Sequence, residues 1–140
     1  MPNTILKNPI LTKNTLQGVS QFLQEQTLAT AAILYGSVAR GEADEYSDID
    51  ICLFYASSDD HESRYSLEEK LEKAFNVRFD VVSFTGCKNN PLFVGHLITD
   101  GKVLFDNANN WKLLVSQREQ ILEKYNKYVA DLEREYLVAI

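Results

Sequence analysis

A glycine, a serine and two aspartates have the spacing of a phosphate and metal site. Gly36 and Ser37 follow an apolar run that ends at Tyr35, and ten residues later Asp48 and Asp50 stand one residue apart. A glycine-serine turn offers free backbone N–H groups to an anion, because glycine has no side chain to keep a phosphate away. Residues i and i+2 of a strand point to the same face, so the two carboxylates lie side by side and need a cation. The pattern predicts a triphosphate held on divalent metal.

Two further charged side chains belong to this predicted site. Arg40 lies one helical turn beyond Ser37 and is expected to offer its guanidinium to phosphate oxygens, the alternative being a salt bridge to nearby acids. Asp80 interrupts an apolar run over 76–84, from which it would complete a second cation site and accept a proton from an attacking hydroxyl. An ion pair with Arg78 or a lysine is the alternative for Asp80. Hard carboxylate oxygens favour Mg²⁺, with Mn²⁺ as a substitute.

Apolar periodicity predicts the elements that position these residues. Ser37 is predicted to cap a short helical turn over 38–41. Helices alternating with strands indicate an α/β (α+β) fold, in which a small mixed sheet is covered by helices. Residues 1–11 are predicted to be irregular, with a turn at Asn8-Pro9. The predicted strands are 29–35, 49–55, 76–84 and 103–105, and the predicted helices are 12–26, 63–75 (starting at Ser63 or Ser66) and 91–97.

The C-terminal region is predicted to form one long helix. Apolar residues recur at three- and four-residue spacing between Trp111 and Tyr136, so residues 109–138 are expected to be one amphipathic helix of about 45 Å. A small domain is narrower than this, so part of the helix must overhang. Its apolar stripe either packs on the core or forms a surface for another protein chain. That surface would consist of Tyr125, Tyr128, Tyr136 and Leu137.

Composition restricts the class of protein. The chain has 140 residues, of which 45% are hydrophobic and 24% charged, as is typical of one soluble globular domain spanning 1–140. Its net charge of −6 argues against direct binding of nucleic acid and suits a basic protein partner. No apolar run reaches the ~18 residues of a membrane span, and the N-terminus does not have the pattern of a signal peptide. Cys52 and Cys87 have no metal-type spacing, so reduced thiols in a cytoplasmic protein are expected.

The segment from Gly36 to Gly41, with Ser47, Asp48 and Asp50, resembles the signature of the DNA polymerase β nucleotidyltransferase superfamily. The likeness covers about residues 12–106. Within the superfamily the chain resembles the minimal nucleotidyltransferase (MNT) group, whose members pair with HEPN-domain ribonuclease toxins. The resemblance implies that four residues bind the nucleotide: Gly36, Ser37, Arg40 and Ser47. It implies that three carboxylates are catalytic and hold two Mg²⁺ ions: Asp48, Asp50 and Asp80.

The resemblance also implies a reaction. ATP would be the substrate, and AMP would move to a hydroxyl of a partner HEPN toxin, which would silence the ribonuclease. The acidic stretch Glu42 to Glu45 is a departure, because additional negative charge near a triphosphate does not help its binding. Two alternatives stay open: transfer to a small molecule such as an aminoglycoside, although few residues remain for the extra helical domain of such enzymes, and an antitoxin that neutralises its toxin by contact alone.

Overall fold

The computed structural model describes residues 13–44, 46–57, 60 and 63–139 of the chain. The predicted irregular segment with the Asn8-Pro9 turn lies outside these residues. The helices and strands follow the predicted order, with bounds that agree within a few residues, except for a short unpredicted helix over Phe84–Cys87 and for the C-terminal region. In chain order the elements are α1 (Lys13–Gln26), β1 (Ala31–Tyr35), α2 (Gly36–Arg40), β2 (Ile49–Phe54), α3 (Arg64–Phe75), β3 (Phe79–Ser83), α4 (Phe84–Cys87), α5 (Pro91–Asp100), β4 (Lys102–Asp106), α6 (Asn110–Ser116) and α7 (Arg118–Ala139).

The four strands form one mixed sheet in the order β3-β2-β1-β4. β1 pairs antiparallel with both β2 and β4, whereas β2 and β3 are parallel. A parallel pair needs a crossover connection, and α3 supplies it between β2 and β3. The C-terminal end of β1 and the N-terminal ends of β2 and β3 therefore meet at the same end of the sheet.

Both faces of the sheet are covered, which explains the nearly continuous apolar runs of β1 and β2. Alternate side chains of these strands enter two separate clusters. One cluster, with Leu34 and Ile51, includes residues of α1 and α3, among them Leu23 and Leu71. The other, with Ile33, includes residues of α5 and α6 and is joined by Ile121 and Leu122 of α7. The predicted helix-covered mixed sheet is confirmed.

Helix side chains satisfy backbone groups on both edge strands. The Val81 N–H of β3 donates to Glu68 Oε2 at 2.8 Å, and the Leu104 carbonyl of β4 accepts from the Ser20 hydroxyl at 3.0 Å. Edge strands otherwise offer unpaired backbone groups to other chains. The hydrogen bond that Val81 donates to Glu68 also fixes α3 against the strand that carries Asp80.

The C-terminal region forms two helices rather than the single predicted one. α6 ends at Ser116, and Gln117 has φ −101° and ψ 14°, outside the helical range, before α7 begins. Three backbone N–H groups at the start of α6 donate to the Asp106 carboxylate, which holds this helix at the end of β4. α7 instead packs on α5, where the ring of Tyr125 lies against Gly95. α6 is held by Asp106 and α7 is held by α5, so the helix is interrupted between them.

The remaining apolar surface of α7 is only partly that predicted for a partner. Tyr128 and Tyr136 are exposed, whereas Tyr125 is half-buried, with its ring edge-on to His96 at 5.5 Å. The side chain of Leu137 lies outside the described part of the chain. Among the helices described, none is both long and apolar enough to cross a membrane.

Candidate active site

Strand pairing brings two of the predicted carboxylates together. In the parallel pair β2 and β3, Asp50 lies opposite Asp80, and in the antiparallel pair β1 and β2, Tyr35 lies opposite Asp50. Directly paired residues point to the same face of a sheet, so these three side chains form a row across three strands. This row is on the face covered by α5, since Tyr35 packs edge-on against Phe93 of that helix at 5.3 Å.

The electrostatic environment of Asp50 reflects this crowding. Burial, and then the charges of Asp80 and Asp48, raise the pKa of Asp50 to about 6, against a weaker opposing effect of Arg40. Burial also raises the pKa of Tyr35, with Asp50 and Asp80 adding to it. The tyrosine therefore stays neutral and adds no charge. Carboxylates this close repel one another unless a cation or a proton intervenes.

Asp48 supplies an oxygen atom with no hydrogen-bond partner. Its Oδ1 is buried and accepts no hydrogen bond, although Arg78 Nε lies 3.3 Å away and forms an ion pair with it. The ion pair offsets part of the cost of leaving this oxygen without a hydrogen bond. Hard oxygens without donors suit a divalent cation, so Asp48 and Asp50 fit the Mg²⁺ site that the sequence predicts.

Asp80 lies in an ion pair of its own. Its Oδ1 contacts Nη2 of Arg64, the first residue of α3. Across residues 13–44, 46–57, 60 and 63–139, no three His, Cys, Asp or Glu side chains converge closely enough to enclose one ion. Arg64 and Arg78 instead neutralise two of the three acids. Cation binding by all three acids therefore stays a prediction, and it requires these arginines to release their partners.

The turn at Gly36 serves the carboxylates directly. Gly36 has a φ of +78°, and a Cβ there would overlap Asp50 Oδ2. Only glycine combines this backbone with the close approach of Asp50. α2 begins at Gly36 with Tyr35 in the N-cap position and without a side-chain cap, so the prediction that Ser37 caps the helix is wrong. The helix begins at Gly36, before the position predicted for its cap at Ser37.

Arg40 and Ser47 have partners within the protein. Arg40 donates from Nε to Glu42 Oε1 at 2.6 Å and from Nη1 to Asp100 Oδ2 at 2.8 Å, which is the salt-bridge alternative considered for it. Ser47 accepts a hydrogen bond from the Asp44 N–H at 2.9 Å, and its hydroxyl lies 3.1 Å from Asp44 Oδ1. Phosphate binding by Arg40 stays a prediction and would compete with Glu42 and Asp100. Nucleotide binding by Ser47 likewise stays a prediction.

Sequence reasoning missed Tyr35, Arg64 and Glu68. Tyr35 ends the predicted strand and could have been found from its place beside the glycine turn. Arg64 and Glu68 lie on a helix that gives no local indication of which strand it crosses, so only the packing of α3 on β3 shows their role.

Comparison with known proteins identifies the family. The family described as "Polymerase beta, Nucleotidyltransferase" matches residues 17–110, which hold all three acids and the glycine turn. The chain therefore belongs to the polymerase β nucleotidyltransferase family, and the resemblance to this superfamily recognised in the sequence is confirmed.

Two curated relatives are from Methanocaldococcus jannaschii. The one named "Putative protein adenylyltransferase MJ1215" is 32% identical over 71 residues, covering 51% of this chain and 83% of the relative. The one named "Putative protein adenylyltransferase MJ1305" is 27% identical over 119 residues, covering 76% of this chain and 79% of the relative.

Solved structures share the fold. A chain of a toxin–antitoxin crystal structure with AMP-PNP matches with a TM-score of 0.66 at 22% identity, over 89% of this chain and 95% of that one. A chain from the complex of a tri-AMPylated Shewanella oneidensis HEPN toxin with an MNT antitoxin matches with a TM-score of 0.62 at 22% identity, over 91% and 97%. At these identities the likeness concerns the architecture.

Proposed function

We propose that this protein is an antitoxin that transfers AMP from ATP to a hydroxyl of a partner HEPN ribonuclease toxin and so inactivates it. The observation that carries the chemistry is the pairing of Asp50 with Asp80 beside the Gly36 turn. Asp48 adds a buried oxygen that accepts no hydrogen bond and is held only by an ion pair with Arg78. The names of the curated relatives support protein adenylylation. The complexes that share the fold support a HEPN partner and an adenine nucleotide.

Each residue of the site has a proposed task. Asp48 and Asp50 would hold Mg²⁺ once Arg78 releases Asp48, and Asp80 would join them once Arg64 releases it. The bound ions would neutralise charge on the triphosphate and on the attacking oxygen. Asp80 is proposed to accept the proton of the acceptor hydroxyl as the new phosphoester bond forms and the bond to pyrophosphate breaks.

The nucleotide would lie at the turn. Gly36 and Ser37 present backbone to the phosphates without a bulky side chain, and Arg40 would exchange Glu42 and Asp100 for phosphate oxygens. The exposed Tyr128 and Tyr136 of α7 are the proposed contact for the toxin, since they extend from a helix whose first part is anchored on α5.

The test is intact-mass measurement of the partner toxin after incubation with the chain, ATP and Mg²⁺. The proposal expects the toxin to gain the mass of one or more AMP groups and to lose ribonuclease activity. Asp48→Asn should abolish both effects without unfolding the chain. Glu69→Gln, which neutralises an exposed carboxylate of α3 paired with Lys73, is the matched control and should act as wild type. Neutralisation without any mass gain would overturn the enzymatic proposal and leave binding alone.

A further inference from the structure

One guanidinium bridges two carboxylates at the edge of the proposed active site. Arg64 Nε donates to Glu68 Oε2 at 3.0 Å, while its Nη2 contacts Asp80 Oδ1. Glu68 lies one helical turn further along α3 and only 17% of its side chain is exposed. Arg64 is therefore positioned from two sides.

Glu68 is itself attached to the strand that carries Asp80. The same Oε2 atom accepts the Val81 N–H at 2.8 Å, and Val81 follows Asp80 in β3. Glu68 accepts hydrogen bonds from both the Val81 amide and Arg64, and so it holds the guanidinium of Arg64 beside the Asp80 carboxylate. A freely solvated arginine would lose more side-chain entropy in reaching Asp80.

We propose that Arg64 is an intramolecular competitor of the divalent cation at Asp80. The guanidinium supplies the positive charge that this carboxylate needs and occupies the oxygen that faces it. Cation binding to Asp80 then requires Arg64 to leave, so that occupancy by the metal and release of the arginine are linked. The inference rests on the proposed function only in taking Asp80 as a cation ligand.

The size of the competition follows from the exposure of the pair. The side chain of Arg64 is 50% exposed and that of Asp80 39% exposed. Ion pairs this accessible to water contribute little, typically 0.2–1 kcal/mol, so removal of the competitor should tighten cation binding by about 1.5- to 5-fold.

The first test is Mn²⁺ affinity of the full chain, measured by calorimetry without nucleotide. Arg64→Gln should bind Mn²⁺ more tightly by the factor above in the binding step that involves Asp80. The control is Lys73→Gln, which removes the same charge from an exposed, ion-paired position about 13 Å further along α3 and should bind as wild type. Arg64→Lys keeps the charge but cannot hold Glu68 and Asp80 together, so its affinity should also rise.

Each outcome has a definite meaning. If wild type and Arg64→Gln bind Mn²⁺ with equal affinity, the proposed competition is refuted, although the protein still binds metal. An Arg64→Lys variant that matches wild type, beside a tighter Arg64→Gln, would also overturn it, because a general effect of charge would then explain the data. Absence of Mn²⁺ binding by the wild type would overturn the inference, whereas the proposed function is decided separately by the mass gain of the toxin.

The second test observes the arginine itself. In ¹⁵N-labelled protein titrated with diamagnetic Mg²⁺, the Arg64 Nε–H signal should move with the dissociation constant found for Mg²⁺ by calorimetry. The same signal in Asp80→Asn should not follow Mg²⁺. An Arg64 signal that stays unchanged while Mg²⁺ saturates the wild-type protein would refute release of the guanidinium.

Discussion

Replacing Asp50 by asparagine should stabilise the folded chain while abolishing the proposed chemistry. Burial and the nearby Asp80 and Asp48 raise the pKa of Asp50 from 3.8 to about 6. The folded chain therefore binds more protons than the unfolded chain between about pH 4 and 6, so the stability associated with this group falls as pH rises through that window. Above pH 6 the cost of the charge is fully present, and asparagine removes it.

The expected gain follows from the size of the pKa shift. A change from 3.8 to about 6 corresponds to ~3 kcal/mol of differential interaction. Asp50 is only half-buried, so screening by water reduces this to about 1–1.5 kcal/mol. For a chain of this size such a gain corresponds to a melting temperature about 3–6 °C higher.

Thermal unfolding with EDTA at pH 7.5 and pH 4.5 measures this gain. Asp50→Asn should melt above wild type at pH 7.5, and most of the difference should be lost at pH 4.5, where wild-type Asp50 is largely protonated. Asp131→Asn is the control, because it neutralises an exposed acid of α7 that pairs with Arg134. Asp50→Asn melting below wild type at pH 7.5, or an equal gain at both pH values, would refute the electrostatic reasoning.

Three further substitutions test the positions that shape the site and its support. Gly36→Ala should destabilise the chain by roughly 1–2 kcal/mol from its φ of +78° alone, and should weaken Mn²⁺ binding measured by calorimetry, because the new Cβ displaces Asp50. Gly95→Ala should lower the free energy of unfolding by about 1–3 kcal/mol in denaturant titrations despite the better helix propensity of alanine, since its Cβ would overlap the ring of Tyr125, and the loss should shrink in a Tyr125→Ala background. Asp106→Ala should cost about 1–2 kcal/mol in the same titrations, since three backbone N–H groups of α6 lose their acceptor.

The acids could be predicted from the sequence because their placement depends on local rules. Asp50 faces Asp80 because strand alternation and parallel register place both on one side of the sheet, and Asp80 interrupts an apolar run that is typical of a strand. Asp48 lies just before β2, so strand alternation alone does not fix its face. Asp50 and Asp80 come together once β2 and β3 are neighbouring parallel strands in this register. The serine cap was predicted wrongly, because the sequence does not show that Gly36 adopts a positive φ and begins the helix itself.

The break in the C-terminal region could not be predicted for a different reason. No glycine or proline marks Gln117, and apolar spacing continues across it from Leu114 to Ile121. The break arises because Asp106 holds the start of α6, whereas Tyr125 packs on α5. Both causes are contacts between distant parts of the chain, which periodicity does not record.

The three acids illustrate how a folded chain tolerates a cluster of like charges. Asp48 pairs with Arg78, Asp80 pairs with Arg64, and Asp50, which has no arginine within ion-pair distance among the described residues, has a raised pKa. Two of the carboxylates therefore meet the repulsion through an arginine, and Asp50 meets it through a raised pKa. A divalent cation shared by Asp48 and Asp50 must displace Arg78 but relieves the cost at Asp50, whereas a cation at Asp80 alone must displace Arg64 and leaves Asp50 without a direct partner. Binding of the cations should consequently proceed in two steps of unequal affinity, with the Asp48 and Asp50 site filled first.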